Sequence, residues 1–228
     1  MNPAAIRAAH ARIAPHLRKT PVLPLEPGAV GASSHVALTL KLELMQHAGS
    51  FKPRGALNNI LSAQANAALP VAGVIAASGG NHGAAVAWAA QRLGVAAEIF
   101  VPAVANPAKI ERIRNFGATV QVGGASYAEA LAASAERARA SGALVVHAYD
   151  QPETISGQGT VALEFEEQVP ALDTVLIACG GGGLVAGVAA WYARRVKVVA
   201  VEPEACPTLH AAQRASAPVD VAVGGAGG

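Results

Sequence analysis

Hydrophobic positions along the chain fall into two alternating kinds. Short runs rich in Val, Ile, Leu and Ala occupy residues 36–42, 72–77, 97–101, 119–122, 144–147, 174–178 and 197–201. Between them lie longer stretches with apolar residues spaced three and four apart, at 3–17, 54–66, 81–93, 107–116, 127–141, 153–168 and 184–194. The first kind predicts buried strands and the second predicts helices. Gly94, Gly117 and Gly142 stand just past helical stretches and Pro107 opens one, where a left-handed cap and a fixed φ are favoured. Strands alternating with helices of roughly 10–15 residues predict an α/β fold, with parallel sheets joined by βαβ crossovers.

Composition narrows this picture. Of 228 residues, 52% are hydrophobic and 14% charged, as expected for parallel strands covered on both faces. That is too apolar for disorder, and the length suits one large or two modest domains. The formal charge is +2, and Arg18-Lys19 and Arg194-Arg195 are the only adjacent basic pairs. Without a basic stripe, no nucleic-acid partner is expected. Cys179 and Cys206 match neither a metal spacing nor a disulfide framework. The first sixteen residues lack the apolar core of a signal peptide, so a cytoplasmic setting is expected. The uncharged run 174–193 has Gly183 and Gly187 at membrane-dimer spacing. Four consecutive glycines interrupt it, and each would cost about 1 kcal/mol in a helix. Strand, loop and helix is the reading, with no membrane partner.

Open α/β sheets bind ligands beyond the carboxyl ends of their strands, and three turns there are unusual. Cys179 is followed by Gly180, Gly181, Gly182, Gly183 and Leu184, ahead of a helix. Glycines admit an anion to the backbone and the helix end supplies N–H groups, so phosphate binding is favoured over a merely tight turn. The spacing is neither the dinucleotide fingerprint nor the P-loop. Ser78-Gly79-Gly80-Asn81-His82-Gly83 follows a second strand. It reads equally as a helix cap with flexible glycines or as a nest of donors for a carboxylate or phenolate. Ser50-Phe51-Lys52-Pro53-Arg54-Gly55-Ala56 opens a third helix. A lysine in the field of a helix N-terminus has a lowered pKa, as an amine nucleophile requires, although a solvated lysine is the commoner case. An amine, a phosphate cradle and a donor loop together suggest a phosphorylated carbonyl cofactor.

With these stretches the chain resembles the fold-type II pyridoxal-phosphate enzymes, in particular the serine/threonine dehydratases and the related serine racemases. Arg18-Lys19-Thr20-Pro21, Lys41-Leu42-Glu43, Gly157-Gln158-Gly159-Thr160 and the three turns occur in family order across the chain. The resemblance implies pyridoxal 5'-phosphate held by Lys52 as a Schiff base, with Lys52 then serving as the base for the α-proton. It places Phe51 and Asn81 at the cofactor, Asn81 on its phenolic oxygen, and Gly180, Gly181, Gly182, Gly183 and Leu184 at its phosphate. Ser50, Ser78, Asn81 and His82 would surround the carboxylate of a small amino-acid substrate. The implied reaction converts L-threonine or L-serine to a 2-oxo acid and ammonia. The alternatives are another β-elimination or racemisation of a hydroxy amino acid, or a weakly active cofactor- or amino-acid-binding protein.

Three departures matter. Family racemases carry a serine directly after the first serine of the asparagine loop, and here Gly79 stands there, which favours dehydration. Glu202 matches a carboxylate of the racemase metal site, but Thr208 replaces the second acid, so no metal is expected. The implied architecture is two open parallel-sheet domains with the cofactor between them. Residues 1–68 with 148–228 would form the larger and 69–147 the smaller. Family members run further, so the larger domain is expected to be incomplete at its C-terminal end, with no partner for the pyridine nitrogen among residues 223–228. Dimers are common in the family, making a homodimer the expected assembly.

Overall fold

A computed structural model describes residues 1–31, 33, 35–219 and 221; residues 223–228, where no pyridine partner was found, lie outside it. Helix α1 (Pro3–Ile13) is shorter than its apolar pattern suggests, because Pro15 turns its end into a 3-10 segment, Ala14–His16. Strand β1 (Val22–Pro24) then pairs antiparallel with β2 (Thr39–Lys41), Val22 opposite Lys41. This hairpin corrects the expectation of parallel pairing alone, and the run at 36–42 shrinks to three residues. Helix α2 (Lys52–Ala65) begins two residues earlier than its periodicity predicts, since Pro53 fits the first turn and Lys52 is recruited as the opening residue.

The expected alternation follows. Strands β3 (Val74–Ala77), β4 (Ala97–Val101), β5 (Thr119–Val122) and β6 (Leu144–Val145) form one parallel sheet in the order β5-β4-β3-β6. Helices α3 (Asn81–Leu93), α4 (Pro107–Asn115) and α5 (Tyr127–Ser141) connect them. After α6 (Pro152–Gln168), strands β7 (Thr174–Ala178) and β8 (Lys197–Val201) form a second parallel pair around α7 (Gly183–Tyr192). Helix α8 (Thr208–Ala215) follows. No helix among the described residues is long and apolar enough to cross a membrane.

Each parallel sheet has its own core. Val74, Ala76, Ile99 and Val101 pack with the alanines of α3 and with Ile13, Leu57 and Ile60. Ile6, Leu163, Phe165, Val175, Val188, Trp191 and Tyr192 form the second cluster. Helix α2 stands between them. Its apolar face joins the first core, while Asn58 donates to Ser156 Oγ (3.0 Å) and Asn59 to Thr154 Oγ1 (2.6 Å) on α6. The glycines of the 157–160 motif set these distances. A Cβ at Gly157 would lie 2.4 Å from the Arg54 carbonyl oxygen, and one at Gly159 would lie 2.9 Å from that of Gly187. Both approaches are closer than a side chain permits, so α2, α6 and α7 meet backbone to backbone.

Arg54, two residues beyond Lys52, is fully buried. Its guanidinium donates to Glu43 Oε1 and Oε2 at 2.8 Å each, and to Glu164 Oε2 at 3.1 Å. Lys41 also pairs with Glu164, and the Thr20 N–H donates to Glu164 Oε1 at 2.8 Å. Two cations and two anions therefore balance inside the protein, as burial of charge demands. Burial alone would raise the Glu164 carboxyl, but Arg54 and Lys41 outweigh it and hold it below the usual carboxylate range. The network ties the β1–β2 hairpin and α6 to the first turn of α2.

Candidate active site

Lys52 is half-buried at the head of α2, with Nζ donating to the Ala148 carbonyl at 2.7 Å and standing 5.2 Å from the Phe51 ring centroid. Among the described residues no carboxylate pairs with it. Burial without a counter-charge pushes its pKa down to about 8. Depression was expected from the helix field; removal from water accounts for it instead. Ser50 is buried beside it, its Oγ accepting the Lys52 N–H at 3.4 Å.

The asparagine loop does not cap its helix. Gly80 is the N-cap of α3 without a side-chain hydrogen bond, Ser78 Oγ accepts the Gly80 N–H at 3.1 Å, and Asn81 is exposed at the first helical position. The Asn81 amide is thus not used as a cap, and the cap reading of this loop falls away. His82 faces inward. It is 5% exposed and its Nε2–H donates to the Val146 carbonyl at 2.8 Å. Burial, then the Lys52 charge, push its pKa down to about 3. A neutral imidazole fixed in this way brings orientation but no positive charge.

The tetraglycine loop has separable requirements. Gly182 has φ 84°, in the left-handed region. A Cβ at Gly181 would stand 2.2 Å from the Tyr149 ring, and one at Gly183 would stand 2.6 Å from the Tyr149 carbonyl oxygen. Gly180 meets nothing within 4 Å. Close packing therefore explains two of the four glycines, and the open side of the loop is available to an anion. The first bond of α7 runs from the Ala186 N–H to the Gly182 carbonyl, so the N–H groups at Gly183, Leu184 and Val185 point out of the helix end.

Composition and spacing gave no sign of the element that joins these parts. Residues 146–149, just beyond β6, present their carbonyls in succession: Val146 to His82, His147 to Thr154 Oγ1 (3.0 Å), and Ala148 to Lys52. Tyr149 then abuts the glycine loop. The His147 Nδ1 accepts the N–H groups of Tyr149 and Asp150 at 3.3 and 3.0 Å, and its ring meets that of Tyr149 edge-on at 4.7 Å. The lysine, His82 and the glycine loop are thereby gathered around one backbone segment. Glu202 serves elsewhere. Its carboxylate accepts from Thr208 Oγ1 (2.8 Å) and from the N–H groups of Leu209 (2.6 Å) and His210 (2.9 Å), closing the start of α8.

A desolvated amine beside a glycine-lined helix end fits pyridoxal phosphate, offering a nucleophile for its carbonyl and N–H groups for its phosphate. Family comparison agrees, with residues 13–225 matching the model described as pyridoxal-phosphate dependent enzyme. The chain belongs to that family. The rice (Oryza sativa subsp. indica) serine racemase is 38% identical over 202 residues, 87% of this chain and 58% of the relative. An L-threonine ammonia-lyase of Geobacter sulfurreducens is 39% identical over 178 residues, 77% of this chain and 44% of the relative. Maize serine racemase superposes with a TM-score of 0.88 at 36% identity, covering 96% of this chain and 67% of that one. The chain therefore spans about half the length of these curated relatives. The α/β architecture is that of fold-type II pyridoxal-phosphate enzymes, and pyridoxal 5'-phosphate is the family's cofactor.

Proposed function

We propose that this chain carries the catalytic core of an ammonia-lyase that dehydrates L-threonine or L-serine to a 2-oxo acid and ammonia. Pyridoxal phosphate, when bound, withdraws electrons from the substrate's α-carbon. Lys52 would hold the cofactor through its Nζ and, once displaced by the substrate amine, take the α-proton; a pKa of about 8 keeps enough of it neutral at physiological pH to do so. The β-hydroxyl then leaves with a proton as water, and hydrolysis of the resulting enamine releases ammonia. The glycine loop and Leu184 would bind phosphate. Asn81 would meet the phenolic oxygen, while Ser50, Ser78 and Asn81 bind the substrate carboxylate and His82 sets the loop's orientation.

The observation that carries dehydration over racemisation is the packing at Gly79. Racemisation needs a second group to return a proton on the opposite face. A Cβ at position 79 would meet Ala105 Cβ at 2.8 Å and Val101 Cγ1 at 3.0 Å. Nothing at that position can donate a proton, and a side chain would need β4 and its following loop to move. The reading includes the two-part division at residues 68 and 147, a homodimer and a cytoplasmic setting. The deciding experiment incubates the cofactor-loaded protein with L-threonine and follows 2-oxobutanoate and D-allo-threonine, the α-carbon epimer, together. Accumulation of the oxo acid with little epimer is expected. Epimer formation outpacing the oxo acid would overturn the assignment.

A further inference from the structure

One buried side-chain atom among the described residues has no hydrogen-bond partner, and it lies beside the proposed site. Gln158, on α6, is 1% exposed. Its Nε2 donates to the Ala148 carbonyl at 3.2 Å, the same oxygen that accepts from Lys52 Nζ at 2.7 Å. Its Oε1 has no partner, and a Cβ at Gly183 would approach it to 2.8 Å. The carboxamide is therefore wedged between the lysine's resting place and the start of α7. Turning it over would set oxygen against the Ala148 oxygen, so the orientation is fixed by its surroundings.

Natural proteins rarely leave a buried amide oxygen unpaired unless a second state pairs it. The nearby donor able to change place is the lysine. It sits on the same carbonyl, has a flexible stem, and as an ammonium carries three protons of which Ala148 uses one. We propose that Gln158 is a positioning residue for Lys52: its Nε2–H fixes the Ala148 carbonyl on which the lysine rests, and its Oε1 accepts a hydrogen bond from the Lys52 ammonium in a second state, when that nitrogen shifts off its resting place. The neutral amine loses less when this acceptor is removed, because hydrogen bonds to charged donors are the stronger ones. Gln158 thus aims the amine and supports its protonated form. The inference rests on Lys52 being the site's reactive amine.

The groups facing Lys52 from other elements are His82 on α3 and His147 in the 146–149 segment, and burial holds both below the usual imidazole range. Changing residue 158 therefore alters the lysine's surroundings without altering another charge. The test uses cofactor-free protein, with Lys52 acetylated by limiting acetic anhydride across a pH series and its labelling rate read by peptide mass spectrometry. Gln158→Met, close in size, is expected to lower the lysine's apparent pKa by about one unit, a tenfold smaller ratio of protonated to neutral amine at a given pH. Gln158→Glu is expected to raise it. A lysine titration unchanged in either folded variant would overturn the proposal, and so would failure of both to fold, which would leave Gln158 a packing role alone. Cofactor attachment is not needed for this readout, so its outcome is separable from failure of the lyase assignment.

Discussion

Replacing Lys52 by Ala is expected to remove both the visible absorbance of the cofactor-loaded protein and its turnover of threonine. No other lysine is held in the site: Lys41 is bound into the Arg54–Glu164 network, Lys19 pairs at the surface with Glu167, and Lys109 on α4 and Lys197 at the start of β8 are exposed. The loss of proton transfer alone amounts to about 10²–10⁴-fold in rate, and loss of the covalent anchor adds to it. The fold should survive, because Nζ makes one hydrogen bond and the residue opens its helix rather than filling it. Visible spectra, oxo-acid release and circular dichroism together check this. Normal colour and turnover in the variant would place the reactive amine elsewhere. In the parent protein, acetylation of the cofactor-free lysine should climb through pH 8. With a pKa of about 8, about a tenth of the amine is neutral at pH 7 and about nine-tenths at pH 9.

Arg54→Met should be the most damaging substitution for stability. It leaves the carboxylates of Glu43 and Glu164 with Lys41 as their remaining cation in the network. Breaking a buried pair from one side costs about 3–5 kcal/mol, which for a chain of this size is about 6–20 °C in Tm. Arg54→Lys should recover part of that, since a lysine restores charge without the fork that spans two carboxylates. Acid should narrow the gap. Glu164 is held below its ordinary pKa in the folded protein, so its contribution is present above the ordinary carboxylate range and is lost as pH falls through the depressed value. The parent protein forfeits that contribution on acidification, whereas the variant has less of it to lose. Thermal melts at neutral and acid pH decide the matter, and a neutral-pH shift under about 2 °C, well short of one pair's cost, would show that the network carries little stability.

Legibility in the sequence followed the physical source of each signal. Strands β4, β5, β7 and β8 and helices α3 and α5 have the bounds their hydrophobic periods predict, because buried parallel strands and capped amphipathic helices leave strong patterns. β1 left none. It is three residues long, follows Pro21 and ends on Pro24, so no alternation can accumulate. α8 is a short helix whose start is closed by the distant Glu202 carboxylate rather than by a neighbouring cap residue. Within the site, the glycine runs and the lysine were visible as residue types with unusual demands. Residues 146–149 were not, because they act through carbonyl oxygens that every residue possesses. Gln158 left a partial trace, as a polar residue between two glycines at a close helix contact.

Helix α2 buries its apolar face in the first core, is tied to α6 through Asn58 and Asn59, and begins at Lys52. In hydrogen exchange, elements packed on every side open only with the whole molecule, while exposed loops open freely. The amides in the body of α2 should therefore be among the slowest to exchange, and those of Gly180 and Gly181 among the fastest. The consequence is an uneven division of labour in time: the backbone that carries Lys52 keeps its place through ordinary breathing of the protein, and the exposed glycine loop is the part that would open and reclose around an arriving ligand.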